Sequence, residues 1–279
     1  VPAPPPAPRT PGKSEPLDPF ASLEMETGGR LGVAALDLGT GAEIGHRPDD
    51  RFAMCSTFKW ILAAAILAAS DAGELSLSRD VAFGEKDLLE YAPTTRASLA
   101  AGRLTVEALA RAIVVNSDNT AANLLLPLIG GPAGLTAFVR KHGDSVTRFD
   151  RDEPTLNTNL PDDPRDTSTP SAMANLMKTI LVGERALSQE SRKRLLDWLV
   201  ACETGRERLR AGLPADWITG DKTGTGERSA INDVAITMPP GRAPLIVVAF
   251  LSDSGKSPAE LSPSHAAIAR AVVEWAKAS

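Results

Sequence analysis

The sequence predicts an α+β protein: an α/β sandwich lobe built on a five-stranded antiparallel sheet, plus an inserted all-helical lobe. Three observations carry this. Apolar runs bounded by turn residues lie at both ends of the chain, helical periodicity fills the middle, and 279 residues suit one large domain or two lobes.

The elements follow in order. Eight of the first 19 residues are proline, so residues 1–19 read as an extended tail outside the fold. Leu31–Asp37 reads as a strand, Gly39-Thr40-Gly41 as its turn and Ala42–Arg47 as its hairpin partner. Cys55-Ser56-Thr57 opens a helix whose residues from Phe58 to Ala69 are apolar on almost every face, which demands burial all round. Thr105–Val115 is a further helix. Thr169-Pro170 starts another, with an N-cap threonine and proline at the first helical position. Ser188–Ala201 is capped by Ser188. Residues 151–166 hold three prolines and no periodicity, the mark of a functional or irregular loop. Trp217–Thr223, Ile231–Met238 and Pro244–Ser252 return to strands, and Ser262-Pro263 is expected to cap a last helix ending near Lys277. The chain thus divides into the tail 1–19, a discontinuous α/β lobe of 20–55 with 206–279, and an all-helical lobe of 56–205. A cleft between the lobes is the expected site.

Composition narrows the chemistry. Three histidines and two cysteines, with no His-x-Glu-x-x-His or similar cluster, speak against a zinc hydrolase, and no metal or other cofactor is expected. A net charge of −5 speaks against nucleic acid as a partner. No run reaches the ~18–20 apolar residues of a membrane span. No signal peptide is visible, and a start at Val1 without methionine is compatible with processing. Hydrolytic chemistry would have to come from Ser, Lys and carboxylates.

Four short elements offer it, each with an ordinary reading when taken alone. Ser56-Thr57-Phe58-Lys59 sets a serine at a helix N-terminus. Positions three apart lie about 60° from each other on one helical face, so Lys59 points toward Ser56. A helix N-terminus favours a developing anion, and a neighbouring amine of lowered pKa can take a serine proton. Alone, this is an N-cap. Ser117-Asp118-Asn119 suits a turn. Glu153-Pro154-Thr155-Leu156-Asn157 places a carboxylate and an amide four apart, able to hold one water between them. Lys222-Thr223-Gly224 ends a strand, with Thr225-Gly226 after it; lysine and threonine together suit a carboxylate ligand, and glycine allows close backbone approach.

In this order, Ser-x-x-Lys, Ser-Asp-Asn, Glu-Pro-x-x-Asn and Lys-Thr-Gly, the chain resembles the class A serine β-lactamases from about Phe20 to its end, Glu90-Tyr91-Ala92-Pro93 included. The resemblance implies the β-lactamase/transpeptidase-like fold and hydrolysis of the β-lactam amide of penicillins and cephalosporins. It implies Ser56 as the acylated nucleophile, Lys59 as its partner and Glu153 as the base that activates the deacylating water, with Asn157 fixing that water. The base of acylation stays open between Lys59 and Glu153 acting through water. Ser117 matches the hydroxyl that passes a proton to the leaving nitrogen, and Asn119 the residue that binds the substrate side-chain amide. Lys222, Thr223 and Thr225 match the carboxylate anchors beside Gly224, and the N–H groups of Ser56 and Thr225 match the oxyanion hole. Tyr91 matches an aromatic wall at the cleft mouth, though a packing role fits it almost as well.

Further expectations follow from the family pattern. Arg151 and Asp166 would bridge the neck of an Ω-loop, 151–166, with Glu153-Pro154 in cis. Many members carry an arginine seven residues beyond the glycine of Lys-Thr-Gly, where this chain has Ile231. Arg208 matches an alternative source of that guanidinium, against a solvated charge at a helix end. Some members bridge the cysteine beside the nucleophile to one after Lys-Thr-Gly, but Gly226 stands there, so Cys55 and Cys202 are expected as free thiols and His265 as structural. The family implies a monomer placed in the periplasm or secreted. A penicillin-sensing receptor would acylate without turnover, and a D,D-peptidase would lack the loop glutamate; Glu153 and Asn157 distinguish this chain from both.

Overall fold

The computed structural model describes residues 18–278. The proline-rich segment up to Leu17 lies outside the described residues. Asp18 already belongs to the fold, since its carboxylate sits 2.5 Å from His46 Nδ1, and Phe20 is fully buried.

Five strands form the main sheet: β1 (Arg30–Asp37), β2 (Glu43–His46), β3 (Ile218–Thr225), β4 (Ile231–Met238) and β5 (Leu245–Ser252). Their order is β2-β1-β5-β4-β3, with every neighbouring pair antiparallel. The two ends of the chain meet in the register of β1 with β5, from Arg30 opposite Ser252 to Asp37 opposite Leu245. The alternation of the strands sorts two cores. Leu31, Val33, Ala35, Val247, Ala249 and Leu251 face α1 (Ala21–Thr27) and the C-terminal helix, while Ala34, Leu36, Ile246, Val248 and Phe250 face the helical part. Sheet centre β5 is buried along its whole length, which is why its sequence is continuously apolar.

The helical part contains α2 (Phe58–Asp71), α3 (Val106–Val115), α4 (Asn119–Leu125), α5 (Gly131–Lys141), α6 (Pro170–Met177) and α7 (Gln189–Val200). Every residue of α2 from Phe58 to Leu67 is buried, as its all-round apolar sequence requires. Thr169 and Ser188 each accept an N–H of the helix they precede, as read from the sequence, and Thr105, read as a helix residue, caps α3 in the same way. The part read as wholly helical also carries a short strand pair, Asp80–Ala82 with Arg103–Thr105, and its Thr167–Ser168 pairs with Phe52–Ala53 of the other lobe. These are pairings between segments distant in sequence, which local periodicity does not register.

The last helix, α8 (Pro258–Ala278), corrects an expectation. It starts before Ser262-Pro263, and Pro263 lies inside it. The true start signal is Ser257-x-x-Glu260: the Ser257 N–H donates to Glu260 Oε2 (2.9 Å) and the Glu260 N–H to Ser257 Oγ (3.4 Å), a reciprocal capping box.

Ile61 is fully buried in the α2-centred core. Truncation to alanine there should cost about 2–5 kcal/mol. It should appear as a lower urea midpoint with an unchanged denaturant slope.

Candidate active site

The polypeptide reaches Ser56 through a single 3-10 turn, Cys55–Thr57, at the head of α2. Cys55 holds φ at +48°, a left-handed conformation that costs a non-glycine residue of order 1–3 kcal/mol. Neighbouring backbone holds this turn in place. Asn232 Nδ2 on β4 donates to the carbonyls of Ala53 (2.8 Å) and Met54 (3.1 Å). Strand β3 comes so close that a Cβ at Gly224 would lie 2.6 Å from Met54 O. The Lys-Thr-Gly glycine therefore serves an approach to the protein's own chain, where the sequence suggested an approach to a ligand.

At the second residue of α2, one turn beyond Ser56, Lys59 Nζ lies 3.1 Å from Ser56 Oγ. It also donates to Ser117 O (2.8 Å) and Asn119 Oδ1 (2.5 Å), and lies 2.9 Å from Glu153 Oε1. Both side chains of the Lys59–Glu153 pair are 0% exposed. Burial pushes the Lys59 pKa down, and the Glu153 charge works against that push. The Ser56 hydroxyl is itself 3.4 Å from Glu153 Oε1.

Ser117 is the second left-handed residue of the site, at φ +61° between α3 and α4. Asp118 beside it is structural: its carboxylate caps α4 at the Ala121 N–H (2.8 Å) and accepts the N–H groups of Thr94 and Thr95. That clamp holds the segment carrying Tyr91, whose carbonyl accepts the Asn119 N–H at 3.0 Å. Tyr91 is 51% exposed at the cleft.

Residues 151–166 close on themselves as expected. Arg151 Nε donates to Asp166 Oδ2 at 2.6 Å, and Asp166 Oδ1 accepts the N–H groups of Asp150 and Arg151. Glu153-Pro154 is cis. Inside the loop, Asn157 Nδ2 donates to Glu153 Oε2 at 2.6 Å. Asn123, which the sequence reading missed, holds both ends of the Glu153 peptide: its Oδ1 accepts the Glu153 N–H (3.0 Å) and its Nδ2 donates to Glu153 O (2.8 Å). Its spacing of four from Asn119 on α4 was the available signal.

On β3, Lys222 Nζ donates to Ser117 Oγ (3.0 Å) and Thr223 O (2.7 Å). Complete burial lowers its pKa to about 8, with nearby Lys59 adding to the depression. Arg208 stands just before a 3-10 turn, Leu209–Gly212, and is 9% exposed, so it is no solvated helix-end charge. It donates to Gly224 O (2.9 Å), Asn232 O (2.7 Å) and Thr225 Oγ1 (2.6 Å). Buried Asp233 accepts the Leu209 N–H (3.0 Å) and anchors that turn; burial and neighbouring Asp221 hold its pKa well above the carboxylate range. Thr204, unmarked by any motif, shares a 2.5 Å hydrogen bond with Thr223 Oγ1.

A cleft of about 290 Å³ results, lined by Ser56, Tyr91, Ser117, Asn119, Asn157, Thr204, Arg208, Thr223, Gly224 and Thr225. The charged groups Lys59, Glu153 and Lys222 stand buried behind its wall. Every residue singled out in the sequence for the site is therefore in the cleft or directly behind it. Cys55 and Cys202 are free, and the Cys55 Sγ is where a side chain at position 226 would arrive, 2.6 Å from a Cβ built on Gly226. His265 is fully buried and its pKa is pushed down to about 3 by that burial.

The chain and its fold have close counterparts. A model of the Beta-lactamase enzyme family matches residues 18–276. Beta-lactamase CTX-M-8 of Citrobacter amalonaticus is 46% identical over 233 residues, 84% of this chain and 79% of that protein. The carbapenem-hydrolyzing beta-lactamase KPC of Klebsiella oxytoca is 43% identical over 258 residues, 92% of this chain and 87% of that one. Among solved structures, the class A beta-lactamase of the last common ancestor of Gram-negative bacteria superposes with a TM-score of 0.89 at 53% identity, covering 91% of this chain and 97% of its own. A beta lactamase from Xanthomonas campestris does so with a TM-score of 0.89 at 48% identity, covering 92% and 95%. Four motifs meeting in one cleft, on a sheet and helices shared with these proteins, place the chain in the class A serine β-lactamase family.

Proposed function

We propose that this enzyme opens the amide of penicillin and cephalosporin rings through an acyl-enzyme on Ser56, which a water activated by Glu153 then hydrolyses. The observation that carries the reading is the meeting of Ser56 Oγ, Lys59 Nζ and Glu153 Oε1 within 2.9–3.4 Å of one another.

Lys222, Thr223, Thr225 and Arg208 hold the substrate carboxylate at the foot of the cleft. Ser56 Oγ attacks the ring carbonyl as its proton leaves toward Lys59 or Glu153, the two bases within reach. The N–H groups of Ser56 and Thr225 receive the oxyanion; loss of one such donor costs ~3–4 kcal/mol in other enzymes. The C–N bond breaks and the nitrogen takes a proton through Ser117 Oγ, which lies between Lys222 Nζ (3.0 Å) and Lys59 Nζ (3.4 Å). For deacylation, Glu153 takes a proton from water, the hydroxide attacks the ester, and Ser56 Oγ regains a proton. Asn157 Oδ1 is buried without a protein partner among the described residues, so it is available to accept from that water. The substrates meet cells from outside, and we place the enzyme in the periplasm or outside the cell, as a monomer.

Replacing Glu153 with alanine should lower kcat by roughly 10²–10⁴-fold, the usual contribution of a general base. Intact mass after mixing with a cephalosporin should then show one retained acyl adduct, against almost none on the unaltered enzyme. A Glu153→Ala protein that turns over normally would remove the assignment. Replacing Ser56 with alanine should abolish both hydrolysis and adduct. Finally, Lys222 is charged below about pH 8 and loses its proton above it. Carboxylate binding needs the charge, so kcat/KM should hold below pH 8 and fall above it. A flat pH profile through that range would exclude Lys222 as a charged anchor.

A further inference from the structure

On the outer side of the 151–166 loop lies a second concavity, of about 450 Å³, walled by that loop, Arg30, Arg51, the Arg228 turn and Asp253. Five guanidinium side chains converge on it, from Arg30, Arg51, Arg151, Arg165 and Arg228. Three of them are neutralised at short range. Arg151 pairs with Asp166 at 2.6 Å, Arg165 with Asp163 at 2.8 Å and Arg228 with Asp253 at 2.8 Å.

The other two are not. Arg51 donates only to neutral acceptors, Thr167 Oγ1 (2.9 Å) and Val146 O (3.1 Å), and among the described residues no carboxylate lies within ion-pair distance of it. Arg30 has its carboxylates at 3.6 Å (Asp253, already held by Arg228) and 3.9 Å (Asp50). Arg30 Nη1 donates to the backbone carbonyl of Arg51 at 2.9 Å, and Arg30 is pre-oriented by lying 4.1 Å from the centre of the Phe52 ring. Two guanidinium forks lining one concave wall match the tetrahedral oxygens of a phosphoryl group. Asp162 also lines the concavity.

We propose that this concavity is an anion site that takes a small free phosphoryl compound at Arg30 and Arg51, separate from the carboxylate anchors of the catalytic cleft. The bound oxyanion lies against the outer face of the loop whose inner face carries Glu153, and Arg51 already holds Thr167, next to the Asp166 that closes the loop neck.

Calorimetric titration with inorganic pyrophosphate, at constant ionic strength and neutral pH, tests this. The intact protein should bind with saturation at one equivalent. Arg51→Gln and the double variant Arg30→Gln/Arg51→Gln should each weaken binding at least tenfold, while Arg208→Ala should leave it unchanged. Arg51→Gln keeps a donor for Thr167, and its melting curve verifies the fold if the double variant is lost. Absence of saturable binding to the intact protein overturns the proposal. So does binding that survives in Arg51→Gln and disappears in Arg208→Ala, which places the anion in the catalytic cleft.

Discussion

A lysine ammonium with no exposed surface is the constraint around which the rest is organised. Taking such a charge out of water costs several kcal/mol even after relaxation, and it is tolerated only with close counter-charge and filled hydrogen bonds. Lys59 finds these on three segments: Glu153 in the 151–166 loop, the Ser117 carbonyl and Asn119 Oδ1 of the Ser-Asp-Asn turn, and Ser56 Oγ of the nucleophile turn. The helix that carries it is itself buried on every side. The loop, the Ser-Asp-Asn turn and the nucleophile turn must therefore converge on one atom, and that convergence is the active site.

A second layer keeps the convergence from relaxing. Asp166 closes the loop neck, Asn123 grips the Glu153 peptide at both ends, and Asn232 ties β4 to the Ser56 turn. Asp118 does the same for the turn bearing Ser117. None of these side chains reaches the cleft, yet each sets the position of one that does. Misplacement by about 1 Å can cost about 100-fold in rate, so polar groups spent on positioning are as relevant to turnover as those that touch substrate.

The electrostatic setting follows from burial as much as from pairing. Lys59, Lys222 and Arg208 all have their pKa pushed down by desolvation. For Lys59 this loosens the hold on its proton beside a serine hydroxyl; for Lys222 it puts the loss of charge within the working range of an enzyme. Beneath Arg208 the carboxyls of Asp221 and Asp233 are pushed up, and two buried acids side by side resist carrying two charges.

By itself the sequence determined the fold class, the strands of the sheet, the capped starts of α6 and α7, and the cleft residues carried by motifs. Those features are local: a period of two or 3.6, a cap within three residues, a motif within five. The Arg151–Asp166 neck was legible only through the family resemblance, since two opposite charges at the ends of a loop read by themselves as a surface pair. Arg208 was legible only as a substitute for the missing strand arginine, and only its burial against Thr225 distinguished it from a surface charge. The start of α8 was local too, in Ser257-x-x-Glu260. Tertiary structure alone decided the roles of Asn123, Thr204 and Asn232 and the use of Gly224 for backbone contact. Each depends on which distant segment arrives beside it, and hydrogen bonds of 2.5–3.1 Å are specified by packing, not by the spacing of residues along the chain.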